Sequence, residues 1–314
     1  MKKINLAHKK ITVIIPVLNG AATLGELFAA LNRQTVQANE ILVGDSSSTD
    51  ESVRICQDGG ARVLTYAKET FDHGGTRSAL VQEASGDIVV FLTQDAIPAT
   101  RDALENLLSA LLSDGKISCA YGRQLPQKNA TPIASYLRIF NYPDVSSVRS
   151  FEDKEKYGLK TIFISNSFAA YKKDLLQKVG CFKNGLIFGE DTCTLGKFLL
   201  DGYRVAYAAN AAVYHSHNYS LLEEFHRSFD IGVLHSSEQW LIDTYGSAEG
   251  VGAKYVRSVF MMLYKERKFF QMIDCLVRSA LKMVGYKLGR SFTKIPVTIR
   301  PYLSMHKLWW AKNN

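Results

Sequence analysis

The sequence predicts an α/β fold, a doubly wound and mostly parallel sheet followed by a helical C-terminal extension. Three observations predict it. Short, continuous apolar runs alternate with segments of helical apolar spacing through the first 115 of the 314 residues, the pattern of strands covered on both faces. A polar cluster follows each of the first four runs, where ligands lie beyond the carboxyl ends of strands in such a sheet. From Leu221 onward the spacing is helical.

Taken in order, Ile11-Thr12-Val13-Ile14-Ile15 is a β-branched first strand that stops at Pro16. Residues 21–31 form a helix whose Leu24, Leu27, Phe28 and Leu31 share a stripe. The second strand is 40–44. A helix over 49–56 follows, with Ser48 or Thr49 as N-cap and Asp50 and Glu51 in its first turn. A short strand over 61–65, a helix over 75–84, a strand over 87–92 and a helix over 101–112 complete the first half. Residues 115–182 are less regular, with a polar loop at 125–131 and an apolar, Ser/Asn-rich stretch at 160–171. Residues 190–200 form a helix, and 203–207 and 212–215 two short strands.

Composition narrows the class. Apolar residues make up 46% and charged residues 22%, which excludes a disordered or fibrous chain. Cys56, Cys119, Cys181, Cys193 and Cys275 contain no CxxC pair, so they read as free thiols in a reducing compartment. The net charge of +8 divides unevenly. Residues 251–314 hold 13 basic and 2 acidic residues, +11, which leaves 25 basic and 28 acidic, −3, in the rest. A nucleic-acid-binding core has no such distribution. Met1-Lys2-Lys3 is not followed by an apolar segment before His8-Lys9-Lys10, so no signal peptide is read. Apolar runs such as 11–18 fall short of the ~20 residues that cross a bilayer. In the tail Lys254, Arg257, Arg278 and Lys282 interrupt every long candidate. The expected location is cytoplasmic, at most resting on a membrane. Val256, Phe260, Leu263, Phe270, Ile273, Val277, Leu281, Val284 and Leu288 roughly follow helical spacing, with basic residues between them. That amphipathic pattern suits a helical pair packed on the domain, or a membrane contact through its exposed part.

The clusters beyond the strands carry the chemistry. They are Pro16-Val17-Leu18-Asn19-Gly20, Asp45-Ser46-Ser47-Ser48-Thr49-Asp50, Phe71-Asp72-His73-Gly74-Gly75-Thr76-Arg77 and Thr93-Gln94-Asp95-Ala96. Neither GxGxxG nor GxxxxGK[ST] opens the first helix, which weakens dinucleotide and P-loop readings. Asp45 and Asp50 can accept from the imide or ribose of a nucleotide, or serve as turn and capping residues. Gly74, Gly75 and Arg77 can set backbone N–H groups and a guanidinium against a diphosphate, or form an exposed turn. Asp95, a lone carboxylate after a buried strand, suits Mg²⁺ or Mn²⁺. Glu190 and Asp191 open a helix, where the dipole favours anions and lowers a carboxyl pKa. In Tyr214-His215-Ser216-His217 the two imidazoles share one strand face and can reach a metal or phosphate.

Together these residues resemble the inverting GT-A glycosyltransferases known as family 2, from Ile11 to about His217. The most specific parts are 13–19, 40–50 and 86–96. The resemblance implies a Rossmann-like GT-A domain over 1–218, with a nucleotide-sugar-binding half at 1–115 and an acceptor-side half at 116–218, followed by a basic amphipathic helical region at 219–314. It implies that Pro16, Val17, Asn19 and Asp45 hold base and ribose, and that Arg77 lies near the nucleotide. Ser47, Asp50, His73, Gly74, Thr93 and Gln94 complete the nucleotide-sugar-binding set. Asp95 is implied as the ligand of a divalent metal, Mg²⁺ or Mn²⁺, helped by His215 or His217. Inversion by single displacement needs a base for the acceptor hydroxyl, implied to be Asp191 with Glu190 orienting. The family's metal motif is Asp-x-Asp, whereas this chain has Thr93-Gln94-Asp95, a weaker set. That motif, with residues 71–77, resembles the rhamnosyltransferase branch. It implies dTDP-L-rhamnose as donor and a polyprenyl-diphosphate-linked sugar of O-antigen or related lipopolysaccharide assembly as acceptor. The enzyme would then sit peripherally on the inner face of the cell membrane. Competing readings are another donor (UDP-GlcNAc, UDP-Gal or UDP-Glc), a nucleotidyltransferase, a non-catalytic nucleotide-sugar-binding module, and a nucleic-acid binder using the tail. The last is disfavoured by the interleaved apolar residues.

Overall fold

The computed structural model describes residues 9–246 and 249–313; Met1-Lys2-Lys3, His8 and the side chain of Lys254 lie outside the described residues. The first half runs β1 (Ile11–Val17), α1 (Ala21–Asn32), β2 (Glu40–Asp45), α2 (Ser52–Asp58), β3 (Arg62–Thr65), α3 (His73–Glu83), β4 (Ile88–Leu92), β5 (Ile97–Pro98) and α4 (Ala103–Leu112). Next come β6 (Ile117–Leu125), α5 (Pro132–Asn141), β7 (Ser147–Arg149), α6 (Lys154–Tyr157), β8 (Phe168–Lys172), α7 (Lys173–Lys178), α8 (Glu190–Leu200) and β9 (Arg204–Tyr214). The rest is helical: α9 (Leu221–Ser237), α10 (Gln239–Tyr245), α11 (Glu249–Lys265), α12 (Phe269–Arg290) and α13 (Lys307–Asn313).

The strands form one sheet of order β3-β2-β1-β4-β8-β6-β9-β5, with β7 on β9. The strands β3, β2, β1 and β4 are mutually parallel. β8 is antiparallel to both β4 and β6, and β6 is parallel to β9. Alternate side chains of β1 enter two cores: Ile14 joins Leu42, Phe91 and Tyr171 on one face, while Val13, Ile15 and Val17 pack with α1 and α4 on the other.

Where structure and sequence pattern part, the reasons are local. α2 begins at Ser52, because Asp50 Oδ1 accepts from the Ser52 N–H and hydroxyl while Oδ2 accepts from the Ala21 N–H. The aspartate thus ties two loops instead of lying in the helix's first turn. α3 starts two residues early, capped by Asp72, whose Oδ1 accepts from Gly75 N–H at 2.6 Å. The two short strands near residues 203–215 are one strand, β9. Its Ala/Asn-rich middle coincides with a register shift against β6, between Gly122↔Ala208 and Arg123↔Ala212.

The C-terminal region does not stand apart. Phe229, Val233 and Leu234 of α9, Tyr245 of α10 and Trp310 of α13 belong to the same core as Ile14 and Phe91. α12 crosses α9 through glycine: a Cβ on Gly289 would collide with the Phe229 carbonyl, and one on Gly232 with the Tyr286 carbonyl. The opposite face of α12 stays uncovered among the described residues, with Phe270 87% exposed and Ile273, Val277 and Val284 also exposed. Among the described residues no helix is long and apolar enough to cross a membrane.

Candidate active site

The loops after β1 and β2 are stitched together. Asn19, at φ 49°, donates its N–H to Ser48 Oγ (2.8 Å), and its Oδ1 accepts from Thr49 N–H (2.8 Å). Ser47 Oγ donates to the Tyr66 carbonyl (2.8 Å). These hydrogen bonds, with those of Asp50, shape the rim of a cavity of about 300 Å³ lined by Pro16, Val17, Leu18, Ser46, Lys68, Phe71, His73, Arg77, Thr93, Gln94, Asp95 and Leu308. Gln94 clamps the first loop, accepting from Leu18 N–H (2.9 Å) and donating to Leu18 O (3.2 Å). Asp45 is buried; Oδ2 accepts from Ser48 N–H (3.1 Å) and Oδ1 has no partner, an unmet acceptor that a ligand N–H would satisfy.

At one end of this cavity Asp95 meets two imidazoles, His215 Nε2 at 3.5 Å and His217 Nε2 at 3.7 Å. One donor atom from each residue lies within 4.8 Å of the others. Burial alone would raise the Asp95 pKa, but His215, the Thr93 hydroxyl and His217 outweigh it and hold the carboxyl well below its ordinary value. Burial, then His215 beside it, pushes His217 down to about 4, leaving it neutral with a lone pair free. The partner of His215 settles its tautomer. Gln124 Oε1 accepts from Arg138 NH1 (2.6 Å), which only donates, and sits 3.0 Å from His215 Nδ1. His215 Nδ1 therefore carries a proton, and Nε2 is the nitrogen that faces Asp95. One carboxylate and two oriented imidazoles fit a divalent cation.

α8 carries the two acids, outside the lining of this cavity. Gly189 precedes it at φ 79°, where a Cβ would press within 2.5 Å of Leu234 Cδ2, so glycine is required. Glu190 is 4% exposed and pairs with Arg77 NH1 at 3.3 Å. Arg77 NH1 also donates to the His73 carbonyl (3.0 Å), while Arg77 Nε is buried without a partner. Burial pushes Glu190 upward, yet the charges of Arg77 and His73 dominate and keep it ionised. Asp191 goes the other way. Burial, then the neighbouring Glu190 charge, pushes its carboxyl up to about 7, against N–H donors from Asn166 (3.1 Å) and Thr192 (2.7 Å). The helix dipole led the sequence to predict a lowered pKa there; burial overrides it.

Asn166 touches both carboxylates, through its N–H to Asp191 and its Nδ2 to Glu190 Oε1 (3.2 Å), and its Oδ1 accepts from Tyr171 OH (2.7 Å). The antiparallel β4–β8 register, Leu92↔Phe168, lays residues 165–167 beside 93–95. Gly74 lets α3 press on the Lys183 carbonyl, where a Cβ would collide, and the Gly75 N–H is taken by Asp72. His73 lies edge-on to Phe71 (5.0 Å) and His306 (5.2 Å), and burial lowers its pKa. Arg77 thus joins the cavity to α8: it lines the cavity that holds Asp95 and pairs with Glu190, the residue before Asp191. Sequence reasoning missed Gln124, Asn166, Lys68 and Leu308. Only Asn166 carried a signal, its place in the Ser/Asn-rich stretch.

The glycosyl transferase family 2 model matches residues 12–180. The chain is 40% identical over 303 residues to the O-antigen chain rhamnosyltransferase RfbN of Salmonella typhimurium, covering 96% of each. It is 39% identical to the O-antigen chain rhamnosyltransferase WbaN of Salmonella anatum, covering 95% of each. Its fold is similar to a mannosyltransferase of Pyrobaculum calidifontis solved with GDP-Man and Mn²⁺, with a TM-score of 0.59, 19% identity, and 87% of this chain and 86% of that one covered. It is also similar to residues 1–349 of Staphylococcus aureus TarS, with a TM-score of 0.55, 16% identity, and 97% and 88% coverage. The chain belongs to the family 2 glycosyltransferases.

Proposed function

We propose that the protein transfers L-rhamnose from dTDP-L-rhamnose, with inversion, to a lipid-diphosphate-linked sugar in O-antigen or related surface-polysaccharide assembly. The observation that carries the chemistry is Arg77, which lines the cavity that holds Asp95 of the Asp/His/His cluster and pairs with Glu190, the residue before a carboxylate of raised pKa. The donor and pathway rest on near-full-length similarity to the two O-antigen rhamnosyltransferases.

Each residue has a defined task. The unmet Asp45 Oδ1 accepts from the N–H of the base, and Pro16, Val17 and Leu18 pack against it. Asp95, His215 and His217 would hold a divalent ion, which when bound would neutralise charge on the diphosphate. Two imidazoles favour Mn²⁺ over Mg²⁺, which prefers oxygen. The free donors of Arg77 stabilise the departing phosphate as charge grows on it. Asp191 takes the acceptor hydroxyl's proton as that oxygen attacks the anomeric carbon. Its raised pKa sits near the operating pH, where a general base works best. Glu190, ionised by Arg77, keeps its neighbour basic. The uncovered apolar face of α12, with Phe269 at its start and Lys265, Arg267 and Lys268 in the turn before it, rests on anionic lipid and brings the enzyme to its acceptor.

A donor screen against a synthetic lipid-diphosphate sugar tests this reading. The highest kcat/KM is expected for dTDP-L-rhamnose; a preference for a UDP- or GDP-sugar would reject the donor assignment. Asp191→Asn should lower kcat by roughly 10²–10⁴-fold while donor affinity holds. In the wild type kcat/KM should rise about tenfold per pH unit below 7 and level off above, since protonated Asp191 cannot accept a proton. An unchanged profile in Asp191→Asn would assign the base elsewhere. Gln124→Ala, which frees the His215 ring, should weaken Mn²⁺ binding by about 10–100-fold in an electron paramagnetic resonance titration without donor. Equal affinity would show that His215 needs no such orientation. Phe270→Asp with Ile273→Asp should abolish sedimentation with phosphatidylglycerol vesicles and spare transfer to a short-chain soluble acceptor. Retained sedimentation would place the membrane contact on another surface.

A further inference from the structure

We propose that residues 305–312 form a strap that completes the donor site, with Leu308 in contact with the bound nucleotide sugar and His306 positioning His73 and, through it, Arg77. The proposal rests on the donor reading of the cavity.

The strap is held at both of its ends. Met305 N–H donates to the buried Asp230 Oδ2 at 3.0 Å. Trp310, 1% exposed, packs against Phe229 (6.2 Å) and Phe292 (5.7 Å) in the main core. Trp309 Nε1–H donates to the Gly185 carbonyl (2.9 Å), and Lys312 Nζ to the Phe71 carbonyl (2.9 Å). Those two carbonyls lie in the loops that lead into α8 and α3, the helices that carry Glu190–Asp191 and Arg77. Asp72 ties the same loops together, its Oδ2 accepting from Gly185 N–H at 3.0 Å. A segment more than 200 residues away in sequence from α3 therefore fixes the spacing of both.

Two side chains between these anchors face the site. The His306 ring stacks on Phe188 (6.0 Å, 21°) and meets His73 edge-on (5.2 Å, 86°). His73 in turn offers its carbonyl and Nδ1 to Arg77 NH1, at 3.0 and 3.4 Å. Leu308 lines the cavity with Pro16 and Phe71 yet is 51% exposed. An apolar side chain left half in water inside a ligand cavity gains when a ligand covers it. Lys307, next to it, is exposed and does not line the cavity.

The test uses the full-length chain, with dTDP-L-rhamnose, dTDP, UDP and GDP titrated by calorimetry. Wild type is expected to bind a dTDP ligand. Leu308→Ala should raise the Kd about 10-fold, Leu308→Met should restore it to within about twofold, and Lys307→Ala should change nothing. Half exposure makes Leu308→Ala a mild change for folding, so an unaltered melting curve accompanies the loss. His306→Ala should lower kcat with the acceptor KM unmoved, and His306→Phe, which keeps the ring contact, should recover it. Wild type that binds none of the four nucleotides would sink the donor-site reading and the strap with it. Wild type that binds, beside Leu308→Ala and His306→Ala variants that bind and turn over equally well, would sink the strap alone.

Discussion

The buried Arg77–Glu190 pair at 3.3 Å is the constraint on which the site depends. An arginine and a carboxylate with this little exposure cost several kcal/mol each to desolvate. Each has a further partner, the His73 carbonyl for the arginine and Asn166 Nδ2 for the glutamate. Removing either partner would strand the other as an uncompensated buried charge, typically a loss of about 3–5 kcal/mol. The pair also divides the labour of two adjacent acids. Glu190 takes the cation and stays charged. Asp191 receives burial and the repulsion of Glu190, and it is the one whose pKa moves up to about 7. Neighbouring carboxyls pushed apart in this way separate a proton acceptor from an electrostatic partner.

The mixed half of the sheet makes that geometry rigid. A fully parallel continuation beyond β4 would carry the start of the next strand to the far end of the sheet. β8 runs antiparallel instead, so its leading residues, 165–167, meet the carboxyl end of β4, and Asn166 reaches both acids. One strand further, the parallel β6–β9 register pairs Leu125 with Tyr214. That brings Gln124 beside His215 and fixes which imidazole nitrogen is free. Two amides, each on or beside a strand, orient the proposed base and the proposed cation ligands; neither is itself asked to react.

The sequence was legible where local chemistry decides structure. β1, β2 and β4 are unbroken apolar runs, and the polar clusters beyond them fall at the cavity because strand direction puts them there. Both imidazoles of the His-x-His pair do meet Asp95, but not on a strand face: β9 ends at Tyr214, and the two histidines follow it. β6 and β8, rich in Ala, Ser, Cys and Gly, carry little strand signal, and their pairing is fixed by partners far along the chain. The same is true of Gln124, Asn166 and Leu308, whose roles arise from contacts across 91, 25 and more than 200 residues. The pKa of Asp191 was misjudged because the helix dipole is visible in a sequence and desolvation is not.

The C-terminal region couples surface to chemistry. Glycines at 232, 285 and 289 let α12 lie against the backbone of α9, a contact with few side chains to yield between them. Phe229 of α9, in that contact, also packs against Trp310, and Trp310 anchors the proposed strap over the proposed donor cavity. In the proposed membrane-bound form the apolar face of α12 is fixed on lipid. A rigid path then runs from the bilayer through α12, Phe229 and Trp310 to Leu308. The path is short and built from backbone contact and buried rings, so seating the helix pair on a membrane also sets the orientation of the cavity mouth. An acceptor whose diphosphate lies at the lipid surface has little freedom to search for the site. Holding that mouth at a fixed angle supplies part of the entropic advantage that joining two sugars requires.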